Sequence, residues 1–196
     1  MANLITLART LLAFGVVAML HVRRWEVYVA AAALTLLLIW MDAWDGWVAR
    51  KLKESSKLGA VIDILGDRVV EMTYWIVFAA FGWVPVWVAV LIAARGIVVD
   101  GVRALALERG FTAFGTTTLM RGRVGAFLVG SRSSRALYGV GKALAFTLVI
   151  LAAAPGWASQ HAGAMLTALA YTAVYATVAL CVLRGVPVLV EAKRFF

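Results

Sequence analysis

Charge is scarce in this sequence: 15% of its 196 residues are Asp, Glu, Lys or Arg, 64% are hydrophobic, and the mean hydropathy is +0.92. That balance excludes an ordinary water-soluble domain, in which about a quarter of residues are charged. Cysteine is nearly absent. The single Cys181 excludes an intramolecular disulfide and, set in an apolar run, reads as a small buried hydrophobe. The short segments of alternating polarity that mark transmembrane β-strands are missing, as are internal repeats and low-complexity tracts. A basic stripe interleaved with aromatic residues is also lacking, so the net charge of +9 points to membrane topology rather than to nucleic acid.

What the sequence has is long apolar runs. A helix needs about 20 mostly apolar residues to cross a bilayer, and such runs lie near 4–21, 27–48, 60–82, 85–106, 136–155 and 162–184. The expectation is an all-α integral membrane protein, a single domain over residues 1–196 with six transmembrane helices. The first run has only Arg9 ahead of its main part and no small-x-small site before His21, so it reads as a retained helix, not a leader. Lys and Arg collect in 50–57, in 103–135 and around Arg184, Lys193 and Arg194, which assigns these and both termini to the cytoplasmic side of the cell (inner) membrane. The turns at 82–85 and 155–157 have neither residue and each carries a tryptophan, as the opposite interface should; Arg23 and Arg24 run against the trend. In 107–135, apolar residues mixed with Arg109, Arg121, Arg123, Arg132 and Arg135 predict a short helix along the cytoplasmic surface.

The acids are concentrated. Asp42 and Asp45 stand three apart at the end of the second run, and Asp63 and Asp67 four apart at the start of the third, so each pair shares a helix face. A short basic link predicts an antiparallel hairpin that sets both pairs at one depth. An ionised Asp at mid-bilayer costs about 2.5 to 3.5 kcal/mol, less near the interface, so four together require counter-charge. Two divalent cations supply it, and oxygen-only ligands favour Mg²⁺, Mn²⁺ or Ca²⁺ over zinc. A carboxylate site with two such ions suits phosphoryl transfer. Gly46, Ala49 and Gly59 leave room for a bulky ligand, and Arg50 can pair with a phosphate. The plainer alternative pairs the aspartates with Lys51, Lys53, Lys57 or Arg68.

The pattern Asp42-x2-Asp45-Gly46-x2-Ala49-Arg50-x8-Gly59-x3-Asp63-x3-Asp67 resembles the signature of the CDP-alcohol phosphotransferases, and Asn3-x2-Thr6-x2-Arg9 resembles the family's amino-terminal motif with Ala2 in place of its proline. The resemblance implies that Asp42, Asp45, Asp63 and Asp67 hold two Mg²⁺ or Mn²⁺ ions, that Asp67 is also the general base, and that Asn3, Thr6, Asp42, Gly46, Ala49, Arg50 and Gly59 contact the CDP moiety. It further implies transfer from CDP-diacylglycerol or a similar CDP-lipid to a small polar alcohol with release of CMP, in a homodimer. The segment 94–110 is most similar to phosphatidylglycerophosphate synthases, although the Lys-Thr expected after Gly141-Lys142 is replaced by Ala143-Leu144. Arg95, Arg103, Arg135 and Lys142 are candidates for binding an acceptor phosphate, which favours glycerol 3-phosphate, with inositol phosphate as the alternative. The competing reading has Asp100 and Arg103 merely neutralising each other, and Arg135 and Lys142 as headgroup anchors. Two other classes compete. A cation transporter needs acids spread along a path through the membrane, and a structural subunit leaves the acidic register unexplained.

Overall fold

The computed structural model describes residues 2–52, 57–108, 110, 122, 125–156 and 161–193, with the side chains of all of these except 2–5, 42–52, 57, 58, 60, 63 and 161. Apolar stretches of this length satisfy their backbone polar groups most simply within themselves, and six long helices result among the described residues. They are α1 (Ala2–Met19), α2 (Trp25–Leu52), α3 (Lys57–Ala80), α4 (Val86–Glu108), α5 (Arg132–Ala152) and α6 (His161–Ala192). No strand occurs among the described residues.

The helices close into a ring. Among the described residues α1 packs on α2 and α3, α2 on α5, α3 on α4, α4 on α6, and α6 on α5. Consecutive helices therefore are not always neighbours: α1 stands between α2 and α3, where sequence alone suggested a simple α2–α3 hairpin. At one end of the bundle, Gly82 takes φ +73° to break α3, and Trp83 packs on Phe78, Phe81 and Tyr28. His21 meets Phe81 edge-on at 5.0 Å, which ties the α1–α2 turn to the α3–α4 turn. The core beneath is aromatic. Tyr74 stacks on Phe146 at 4.7 Å, with Trp75 and Phe78 against the same ring.

The outside of the ring is apolar as well. Leu11, Trp40, Ile64, Ile97, Leu137 and Met165, one from each helix, are exposed. Water disfavours such a surface and lipid does not. Arg132–Ala152 and Ala162–Ala192 are long and apolar enough to cross a membrane, while Thr6–Met19 and Trp25–Met41 are shorter apolar helices. The charged residues of α2 and α3 gather toward one end and shorten the uninterrupted apolar stretch there.

Two expectations change. The last helix does not stop at 184 but continues through Pro187 to Ala192, so Arg184 belongs to the bundle and not to a tail. Of the surface helix expected in 107–135, most lies outside the described residues; what is described is the end of α4, a π-helical turn at Ala126–Gly130 and the start of α5, where the Ser131 hydroxyl caps α5 by accepting from the Ser134 amide at 3.1 Å.

Candidate active site

The register of α2 against α3 is set by one buried contact. The hydroxyls of Thr35 and Tyr74 lie 2.9 Å apart, and the two residues stand equally far along their helices from the link between Leu52 and Lys57. The helices therefore run in opposite directions. Counting back from that contact at the common helical rise of about 1.5 Å per residue, Asp42 comes to the level of Asp67, and Asp45 falls within one residue of the level of Asp63. A link of only four residues, 53–56, limits the separation of these helix ends to about 18 Å. The side chains of Asp42, Asp45, Gly46, Ala49, Arg50 and Asp63 lie outside those described, as does that of Asn3.

Asp67 is described, and its partner comes from α1. The Arg9 guanidinium, 3% exposed, is ion-paired with the Asp67 carboxylate, whose side chain is 44% exposed. A buried guanidinium is tolerated only with such a partner. What lets the helices come this close is Gly66: a Cβ there would stand 2.5 Å from the Thr6 methyl carbon. Thr6 is buried inside α1, beyond any capping position, and faces α3 one turn before Arg9.

Arg9 and Asp67 open onto a small, partly open cleft. Its floor is apolar, with Leu38, Ile39, Val70 and Phe146, and its polar wall is completed by Glu71 and Lys142. Glu71 is buried at 3% exposure. One of its oxygens accepts from the Tyr138 hydroxyl at 2.7 Å, and the other lies 3.3 Å from Arg68 and 3.4 Å from the Lys142 ammonium. Arg68 also forks onto Asp100 of α4, at 2.8 and 3.1 Å. The expected Asp100–Arg103 pair is a looser contact of 4.0 Å, so Asp100 serves mainly Arg68, and Arg103 is left in excess. Lys142 is likewise no headgroup anchor, being drawn inward to Glu71.

Arg103 joins Arg95, Arg135 and Arg184 in a group close enough for mutual repulsion. The Arg95 stem lies against Gly185, where a Cβ would meet it at 3.0 Å, and its buried Nε has no hydrogen-bond acceptor among the described residues. Arg184, 8% exposed, donates to the Ser134 hydroxyl at 2.5 Å. Arg135 is exposed. The sequence reading did not single out Glu71 or Arg184. Glu71 continues the step of four that joins Gly59, Asp63 and Asp67, which was its available signal; Arg184 had none, because helix packing alone brings it to α4 and α5.

Among the described side chains no three acids or histidines come together as a metal site. The donor chemistry nevertheless fits hard divalent ions: four carboxylates, two from each helix, at matching levels, one of them open to the cleft.

A family model for CDP-alcohol phosphatidyltransferase matches residues 1–183. A Mycobacterium tuberculosis protein provisionally named cardiolipin synthase is 36% identical over 86 residues, which are 44% of this chain and 41% of that protein. The Bacillus subtilis CDP-diacylglycerol--glycerol-3-phosphate 3-phosphatidyltransferase is 30% identical over 83 residues, 42% of this chain and 43% of its own. The Cereibacter sphaeroides protein of that name is 30% identical over 106 residues, 52% and 48% respectively. Each match spans less than half the length of the curated relative.

Proposed function

Because this chain belongs to the CDP-alcohol phosphatidyltransferase family, we propose that it moves a phosphatidyl-type group from CDP-diacylglycerol or a similar CDP-lipid to glycerol 3-phosphate, releasing CMP. What supports this is the antiparallel register of α2 and α3, along which the two aspartate pairs count to similar depths, with Asp67 on the cleft.

In this reading Asp42, Asp45, Asp63 and Asp67 hold two Mg²⁺ or Mn²⁺ ions. When bound, these neutralise the donor's phosphate oxygens. The acceptor hydroxyl oxygen forms a bond to the phosphorus that carries the lipid, and the bond from that phosphorus to the oxygen of CMP breaks. Asp67 accepts the proton from the hydroxyl. Arg9, on the same carboxylate, orients it and balances its charge. Asn3, Thr6, Gly46, Ala49, Arg50 and Gly59 line the CDP end, and the apolar floor of the cleft receives the beginning of the lipid.

The acceptor follows from surplus charge. With Asp100 engaged by Arg68, the group formed by Arg95, Arg103 and Arg184 calls for an anion, and a phosphorylated alcohol provides one. Relatives bearing the glycerol-3-phosphate name point to the same acceptor. The relative named for cardiolipin supports a second reading, in which the phosphorylated alcohol is itself a lipid, phosphatidylglycerol.

The apolar exterior supports a multi-pass domain with six spans in the inner membrane, with the site, both termini and the basic segments cytoplasmic. A homodimer is expected from the family. The testing experiment incubates purified protein with CDP-diacylglycerol, Mg²⁺ and, in turn, glycerol 3-phosphate, inositol phosphate, inositol, serine, choline or phosphatidylglycerol. CMP release with glycerol 3-phosphate and a phosphatidylglycerophosphate product are expected. CMP release with none of them, together with metal flux into proteoliposomes in the absence of nucleotide, would favour a transporter.

A further inference from the structure

Glu71 is a buried carboxylate that neither the aspartate register nor the nucleotide motif uses. Its position is specific. It stands one helical turn beyond Asp67 on α3, lines the same cleft, and gathers Arg68 from its own helix with Tyr138 and Lys142 from α5. Carboxylates almost never reach 3% exposure without cationic partners. Here the partners are unequal: Arg68 has a second carboxylate in Asp100, whereas Glu71 is the carboxylate within salt-bridge reach of Lys142.

Lys142 faces the cleft beside Asp67, and its ammonium also lies 5.0 Å from the centre of the Tyr138 ring. An ammonium has three donors. One is turned to Glu71 at 3.4 Å, which leaves others for an anion in the cleft. The lysine stem is long and flexible, so an untethered Lys142 would lose rotamer freedom each time it bound a ligand.

We infer that Glu71 is a positioning residue: through Lys142 it presents a fixed positive charge beside Asp67 for the phosphate of the acceptor. The inference rests on the transferase reading above. It gives the acceptor phosphate a contact in the cleft that holds the base.

The test uses the purified full chain, CDP-diacylglycerol, Mg²⁺ and glycerol 3-phosphate, with KM measured for each substrate. Glu71→Gln keeps the shape and an acceptor for Tyr138 but removes the tether charge, and it should raise the acceptor KM about tenfold to thirtyfold. The KM for the CDP-lipid should stay within about twofold. Glu71→Asp should recover much of the loss. Lys142→Gln should match Glu71→Gln, and the double variant should be no worse than Lys142→Gln alone, since both act through one group. Additive effects, or equal changes in both KM values, would overturn the inference in favour of a purely structural carboxylate. If Glu71→Gln does not fold, Glu71→Asp in the wild-type and Lys142→Gln backgrounds decides, with an acceptor KM effect expected only in the former. A wild-type protein inactive with every acceptor would remove the transferase reading; an active one indifferent to Glu71→Gln would remove this inference alone.

Discussion

Arg9 on α1 and Asp67 on α3 form an ion pair across an interface whose closeness depends on Gly66 having no side chain. The pair connects the amino-terminal motif to the acidic register. It places a permanent positive charge on the carboxylate to which the mechanism assigns the proton.

Gly66→Ala should push α1 from α3, because the new Cβ would stand 2.5 Å from the Thr6 methyl. Overpacking of this kind costs about 1–3 kcal/mol, and activity should fall further than stability because Arg9 and Asp67 move apart. Thr6→Ser removes the clashing methyl, so the double variant should regain part of the thermal stability. No recovery in thermal unfolding would show that the contact is not what limits the interface.

Asp67→Asn should abolish CMP release, with a loss of at least about 10³-fold if the carboxylate both holds metal and takes the proton. Its exposed half limits the stability cost of losing this ion pair to about 1–2 kcal/mol. Retained turnover in a folded Asp67→Asn protein would refute the assigned base.

Arg68→Lys keeps the charge but cannot reproduce the two parallel bonds to Asp100. A loss of about 1–2 kcal/mol of unfolding free energy, read as a lowered unfolding midpoint, is expected, since the fork joins α3 to α4. An unchanged midpoint would mean that the fork contributes nothing to the packing.

Arg103→Gln and Arg184→Gln should each raise the KM for glycerol 3-phosphate about tenfold, while a non-phosphorylated acceptor such as glycerol should be nearly indifferent to them. Equal effects on both acceptors would assign these arginines to the fold and not to phosphate recognition.

Much of this was legible in the sequence, for definable reasons. Apolar runs and the breaks near Gly82 and Gly156 located all six helices to within a few residues, apart from the carboxyl-terminal extension of α6. Spacing alone put each aspartate pair on one helix face. Neighbours were not legible, because periodicity says which face is buried but not against what. Hence α1 between α2 and α3, the Arg9–Asp67 pair, and Arg184 beside α4 came only from packing. The stripe Gly59, Asp63, Asp67 continues at the same step to Glu71, but spacing alone does not show that this carboxylate is buried among cations from another helix. The plainer alternative, in which Arg68 pairs with the aspartates of its own hairpin, is not what Arg68 does: it crosses to Asp100.

The central claim, that carboxylates of α2 and α3 share two ions, is tested most directly by Mn²⁺ binding followed by electron paramagnetic resonance of free ion in the presence of CDP. Two ions per chain are predicted for the wild type, with both Asp42→Asn on α2 and Asp63→Asn on α3 reducing that number. Wild-type protein that binds no Mn²⁺, or variants on either helix that keep both ions, would contradict it.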